Sequence, residues 1–389
     1  MTSLGLPPAE CPEQVGLSSE RLERITAKLT DDVERGAIPG AVLAIARAGR
    51  IGYAEAIGYR DKEAGAKMQP DAIFRIASMT KPIVSVAAMA LAEEGGLDVG
   101  APVADYIPAF KEMTVGAERT KAIRTMTVQD LLRHTSGLTY AAFGDSPVQM
   151  IWRDANLQDE NQTNEDLVGK LAGLPLMFEP GTTWEYSMST DVLGRVVEIT
   201  SGKGLGDFIA KRITGPLGMA DTAFAATGDK AARVAEPLID KATGKKPPMR
   251  DPARATRWQS GGGGLVGTAA DYVRFCQMLL NGGTLDGETI IGRKTLQFMA
   301  SDHLAPSVKV DSPLMSPGHS FGLGFAVRTH QGMAPFAGSV GQYFWSGMAG
   351  TFFWIDPTED LFAIFLSQGP GQREYFRTLI RSLVYATVE

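Results

Sequence analysis

Apolar positions along the chain follow two different periods. Between residues 19 and 36 they recur at Leu22, Ile25, Leu29 and Val33, the spacing of one helix face, with Ser18 or Ser19 as the cap and Gly36 as the stop. The runs AVLAIAR (41–47) and IGYAEAIGYR (51–60) are β-rich and flank Ala48-Gly49, which predicts a hairpin. A helix is predicted from about Ser78 to Glu94, with Pro82 in its first turn and Gly95-Gly96 as its stop. Residues 97–225 show little β-branched alternation. They hold helical pieces such as TVQDLLRH, where Thr127 and Asp130 form a capping box, and TDVLGRVVEITSG. Strand character returns in FGLGFAVRT (321–329), MAGTFFWID (348–356) and LFAIFLSQ (361–368). A closing helix follows, REYFRTLIRSLVYAT, with Phe376, Leu379, Ile380 and Leu383 on its apolar face.

Strands therefore come from both ends of the chain, with helices between them. Strict βα alternation is missing, so a doubly wound parallel sheet fits poorly. The order predicts an α+β fold: an antiparallel sheet flanked by helices and built from both chain ends, with an all-α lobe inserted. Residues 1–96 and 226–389 would form the sheet lobe, and residues 97–225 the helical one. The length, 389 residues, exceeds that at which one core stops growing and also favours two lobes.

Composition narrows the function classes. Net charge is −6, and no cluster of Lys and Arg with interleaved aromatics occurs, which argues against a nucleic-acid partner. The start of the chain, MTSLGLPPAECPEQ, lacks the basic residues and apolar stretch of a signal peptide. The apolar run IVSVAAMALA is too short to span a bilayer, so no membrane partner is expected. Cys11 and Cys276 read as free thiols of a reducing compartment, which makes the cytoplasm the expected address. His134, His303, His319 and His330 show no metal-ligand spacing, so neither a metal nor a cofactor is expected.

Two motifs fail their context. GHSFG (318–322) matches the G-x-S-x-G nucleophile elbow, but proline-rich DSPLMSP precedes Ser320 and a strand-like run follows it, where an elbow needs strand then helix. Ser320 is expected at a strand edge. In GGGGLVG, Gly262, Gly264 and Gly267 satisfy G-x-G-x-x-G, but no buried strand comes before them. The glycines are expected to form a tight entry to a helix near Thr268, capped by a Thr268–Asp271 box.

The stretch FRIASMTKPIV places Ser78 and Lys81 three apart at a helix start, on one face. The helix N-terminus favours an alkoxide or oxyanion, and a lysine amine beside a serine can help remove its proton. The same four residues also suit a helix cap followed by a solvated lysine. The spacing alone leaves both readings open.

Two further segments bear on the choice. PGTTWEYSMSTDVLGRVVEITSG (180–202) sets Tyr186 after a turn and ahead of a helix, and YFWSGMAGTFFWIDP (343–357) sets Trp345-Ser346-Gly347 at a strand edge. S-x-x-K, a tyrosine motif and a strand motif ending in Gly, in that order, resemble the serine β-lactamase and penicillin-binding-protein superfamily. Within it the chain resembles the class C branch, and most of all the family VIII carboxylesterases. LLRHTSGL, F-x-PG-x-x-W-x-YS and SGGGGLVGTAADYVRF extend the likeness over most of the chain. The resemblance implies Ser78 as nucleophile, Lys81 as its proton-relay partner and Tyr186 as general base. It implies an oxyanion hole from the backbone N–H groups of Ser78 and Met348, and a substrate-binding strand at Trp345, Ser346 and Gly347.

The chain departs from the penicillin-recognising pattern twice. Met188 stands where the tyrosine motif usually has Asn, and Trp345 where the strand motif usually starts with Lys or His. A neutral indole cannot pair with a substrate carboxylate but offers an apolar wall. Both changes resemble those of the family VIII esterases, which implies a serine carboxylesterase acting on neutral short- to medium-chain esters. A β-lactamase, a D-alanyl peptidase, an acyltransferase or an inert penicillin-binding-like module are the alternatives. Trp345 as a packed sheet aromatic also stays open.

Overall fold

The computed structural model describes residues 4–389. Helix α1 (Ser19–Glu34) buries Leu22, Ile25, Leu29 and Val33, the stripe that predicted it. Its N-cap is Ser18, whose hydroxyl makes no capping bond; the Glu13 carboxylate accepts from the Ser19 N–H instead, at 2.9 Å. Strands β1 (Gly40–Arg47) and β2 (Arg50–Asp61) form the hairpin. Ala48 and Gly49 both take positive φ, +51° and +72°, as a two-residue type I′ turn requires. The two-residue β3 (Ala66–Lys67) pairs with the end of β2.

Helix α2 (Thr80–Glu93) starts later than predicted, because Ala77–Met79 form a turn of 3₁₀ helix ahead of it. Every residue from Thr80 to Leu91 is buried, so α2 runs through the core and not along its surface. Next come α3 (Val128–Leu132), with the Thr127–Asp130 capping box in place, α4 (Pro147–Arg153), α5 (Asn164–Ala172) and α6 (Ser189–Ser201). Helix α6 packs against α2, α3 and α5. Helix α7 (Ala269–Leu280) returns to the sheet and packs on its middle strands.

The late strands are β4 (His319–Phe321), β5 (Ala326–Arg328), β6 (Tyr343–Gly347), β7 (Thr351–Asp356) and β8 (Leu361–Ser367), and α8 (Arg373–Tyr385) closes the chain. FGLGFAVRT is thus two strands and not one. Its chain reverses between Phe321 and Ala326, where Gly324 takes φ +96° and a Cβ would collide with Ser85. On α8, Leu379 and Leu383 are only half-buried. The inner face is Phe376, Ile380, Arg381 and Val384, with the Arg381 guanidinium 4.0 Å from the centre of the Phe344 ring.

One antiparallel sheet has the order β4-β5-β6-β7-β8-β1-β2-β3. The join between chain ends is β8 to β1, in register from Ala41↔Ser367 to Arg47↔Leu361. Residues 97–225 add no strand to it. Neighbouring side chains on a strand face opposite ways, and β7 shows both layers. Phe353 meets Tyr272 of α7, while Phe352 packs at a tilt against Phe365, which stacks on Phe376 of α8.

Candidate active site

The segment before Ser78 is held from three sides. Phe74–Arg75 pairs with Val266–Gly267, and the Ile76 N–H donates to the Leu265 carbonyl at 3.2 Å. The Thr351 hydroxyl donates to the Ile76 carbonyl at 3.2 Å. Strand β6 can approach that carbonyl only because Gly347 has no Cβ, which would collide with it. Between these anchors Ala77 is held at φ +47°, a conformation costing a residue with a Cβ about 1–3 kcal/mol. Ser78 follows directly, and the Tyr272 hydroxyl of α7 donates to the carbonyl of the next residue, Met79, at 3.0 Å.

Lys81, in the first turn of α2, is 1% exposed. Its Nζ donates to the Gly262 carbonyl at 2.6 Å and to the Tyr140 hydroxyl at 3.1 Å, and reaches Ser78 Oγ at 3.5 Å. It also lies 4.5 Å from the centre of the Tyr186 ring. A buried ammonium is expensive unless hydrogen-bonded, and these oxygens and that ring supply the compensation. Asp191, buried in the first turn of α6, accepts from the Ser260 hydroxyl at 2.6 Å and from the Gly262 N–H at 3.0 Å. The carboxylate thereby fixes the loop whose carbonyl holds Lys81.

Tyr186 accepts, at its hydroxyl oxygen, from the Trp345 indole N–H at 3.2 Å. Its ring is enclosed by those of His134, Trp345, Tyr140 and Phe143, with centroids 4.9, 5.1, 5.6 and 6.0 Å away. Trp345 is 4% exposed and packs edge-on to Phe321, so it backs Tyr186 rather than standing as an open apolar wall. Ser346 is half-buried and Gly347 buried, and Met348 just beyond them is 61% exposed.

Burial dominates the electrostatics. It raises the Tyr140 phenol well above its ordinary value, with the nearby Asp191 charge and Tyr186 adding to the effect. It also raises the Asp191 carboxyl, against which the Lys81 charge and the hydrogen bonds from Ser260 and Gly262 work. His134 is pushed well below the usual imidazole range by burial and by the Lys81 cation, and so is neutral.

Ser78, Lys81, Tyr186 and Trp345 thus converge. Tyr140, Asp191 and Gly262 join them, and none was singled out for this role from sequence. The glycine run does more than open a helix. Gly262 carries the carbonyl that receives Lys81, and a Cβ there would collide with the Asp191 carboxylate. The Thr268 hydroxyl does cap α7, but the Asp271 carboxylate accepts from Asp221 and Thr222 instead of completing the box. Ser320 lies in β4, opposite Val327, and its hydroxyl donates to Asp302. No helix follows it, so the elbow geometry is absent. Cys11 is exposed and Cys276 buried, both as free thiols. No helix among the described residues is long and apolar enough to cross a membrane.

A family model described as Beta-lactamase matches residues 25–386. Protein Rv1367c of Mycobacterium tuberculosis (strain ATCC 25618 / H37Rv) is 34% identical over 358 residues, covering 88% of each chain. Esterase EstB of Burkholderia gladioli is 30% identical over 391 residues, covering 93% of this chain and 95% of its own. The solved structure of EstCE1, described as a hydrolase with promiscuous acyltransferase activity, superposes with a TM-score of 0.82 at 26% identity. It covers 94% of this chain and 98% of its own. With the site geometry and these relatives together, the chain belongs to the beta-lactamase family, in the branch of the family VIII esterases.

Proposed function

We propose that this protein is a cytoplasmic serine carboxylesterase that hydrolyses neutral short- to medium-chain esters through an acyl-enzyme on Ser78. One observation carries the reading: the Ser78 hydroxyl lies 3.5 Å from the Lys81 ammonium, which is itself held 4.5 Å from the Tyr186 ring. Ser78 Oγ attacks the ester carbonyl as its proton passes to the Tyr186 oxygen, which enters this step as the phenolate with the Lys81 cation beside it. The carbonyl oxygen takes on negative charge, which the N–H groups of Ser78 and Met348 stabilise. Collapse of the tetrahedral species breaks the bond to the alcohol oxygen, and Tyr186 returns the proton to it. Water then attacks the acyl-enzyme by the same route and frees Ser78. The cleft for this chemistry lies between a sheet lobe, residues 1–96 and 226–389, and a helical lobe, residues 97–225.

The preference for neutral substrates rests on two positions. Trp345 is uncharged and spends its N–H on Tyr186, and Met188 is buried and offers no amide. A second reading, transfer of the acyl group to an alcohol other than water, draws support from EstCE1, whose description includes promiscuous acyltransferase activity. One acyl-enzyme serves both outcomes.

The test is a panel of nitrophenyl esters of increasing acyl length beside a chromogenic cephalosporin, with and without added alcohol. Ester turnover well above cephalosporin turnover is expected. Cephalosporin hydrolysis as fast as the best ester would overturn the assignment, and product ester formed with alcohol present would favour the second reading.

A further inference from the structure

Phe143 is 54% exposed, yet it is fixed in place. Its ring lies nearly parallel to that of Tyr186, at 18° with centroids 6.0 Å apart, and Tyr140 meets it edge-on at 5.2 Å and 69°. The 3₁₀ turn that carries it, Ala141–Phe143, follows Tyr140 directly and is tied to α4. Arg153 of α4 donates to the Ala141 carbonyl at 3.2 Å and to the Gly144 carbonyl. Gly144 admits the Gln149 side chain against its α-carbon, where a Cβ would stand 2.6 Å from Oε1.

The placement matters because of what lies beneath. Tyr140 touches Lys81, and the Tyr186 ring faces the same ammonium, so Phe143 is two contacts from Lys81 and three from Ser78. Leaving a fixed ring half in water forgoes apolar burial. A flat partner on its open side recovers that, with stacking geometry as a further gain.

We propose that Phe143 is a shelf that seats a planar apolar group of the ester substrate, which makes esters carrying an aromatic ring a preferred class. The inference rests on the esterase reading above. The ring can belong to the alcohol or to the acyl part, and two isomeric substrates separate these sources: benzyl acetate and methyl phenylacetate. Methyl acetate is the ringless reference.

The experiment measures kcat and KM on all three for wild type, Phe143→Ala and Phe143→Trp. For at least one ring-bearing isomer, Phe143→Ala is expected to lower kcat/KM relative to methyl acetate by about tenfold, the scale of one aromatic pair. Most of the change falls on KM, because a shelf holds ground and transition states alike. Phe143→Trp keeps a flat face and restores the ratio. Should Phe143→Ala melt early, Phe143→Leu keeps apolar bulk without the flat face and is expected to show the same loss. Ratios within twofold of wild type for both isomers, with esters still turned over, overturn the shelf alone. No turnover of any ester, and no labelling of Ser78 by a fluorophosphonate, overturns the esterase reading and the shelf with it.

Discussion

Lys81 directs its ammonium to the hydroxyl of Tyr140, at 3.1 Å, while the hydroxyl of Tyr186 accepts from the Trp345 indole N–H, at 3.2 Å. Two tyrosines therefore flank one lysine with different tasks. Tyr140 is held protonated by its burial, and as a neutral hydroxyl it accepts from the ammonium. Tyr186 offers the lysine its ring, and on the proposed mechanism its oxygen carries the proton. Tyr186→Phe is expected to lower kcat by about 10²-fold or more, the scale for losing a general base. Tyr140→Phe removes only a positioning contact. A loss of about tenfold is expected, at the lower end for hydrogen bonds to charged groups, with the pH profile unchanged. Steady-state rates of the two variants decide it, and a larger loss in Tyr140→Phe would exchange the roles.

Trp345 is expected to act through Tyr186. Its N–H gives the phenol oxygen a donor that strengthens as that oxygen takes on negative charge. Trp345→Phe keeps the ring and removes the donor, so kcat should fall by about tenfold with KM little changed. A rise in KM at constant kcat would instead make Trp345 a substrate wall.

Asp191 gives the acid side of the rate profile. Burial raises its carboxyl above the ordinary value of 3.8, so protonation on acidification comes earlier than for an exposed aspartate. The protonated group loses acceptor strength toward Ser260 and Gly262, and the loop holding Lys81 loosens. Activity should therefore fall as pH drops through this raised range. Asp191→Asn should lower kcat by about tenfold at neutral pH and abolish that acid limb. A variant whose limb matches wild type would remove Asp191 from the account.

Much of this site was legible because family motifs are local strings. Ser78 and Lys81 are three apart, and Trp345, Ser346 and Gly347 are consecutive. Tyr140 and Gly262 were not legible, since they meet Lys81 across 59 and 181 residues, and no period or spacing encodes such contacts. Asp191 meets Gly262 across 71. The glycine run predicts a helix entry because glycine signals local backbone freedom, whereas its carbonyl and its close approach to Asp191 are tertiary facts. The sheet joined from both chain ends followed from the order of strand-like runs. FGLGFAVRT misled because an apolar run alone does not show where a chain reverses; Gly324 supplies the turn.

His319 makes stability depend on pH. Burial and the nearby Arg381 and Arg328 guanidinium groups push its imidazole down to about 4, against 6.5 for an ordinary histidine. Below 6.5 the unfolded chain takes up a proton that the folded chain refuses, so this group's stabilisation is full above that value and is lost as pH falls toward 4. His319→Gln lacks this titration. The Tm difference, wild type minus variant, should therefore shrink as pH is lowered from about 7 to about 5. A difference independent of pH would contradict the linkage.

Ser78, and no other serine, is expected to carry the acyl group. Mixing the enzyme with excess nitrophenyl ester, quenching in acid within the first turnovers and mapping the peptides by mass spectrometry tests it most directly. The acyl mass is expected on the peptide containing Ser78, absent in Ser78→Ala and retained in Ser320→Ala. An acyl group located on Ser320, or on any residue other than Ser78, would contradict it.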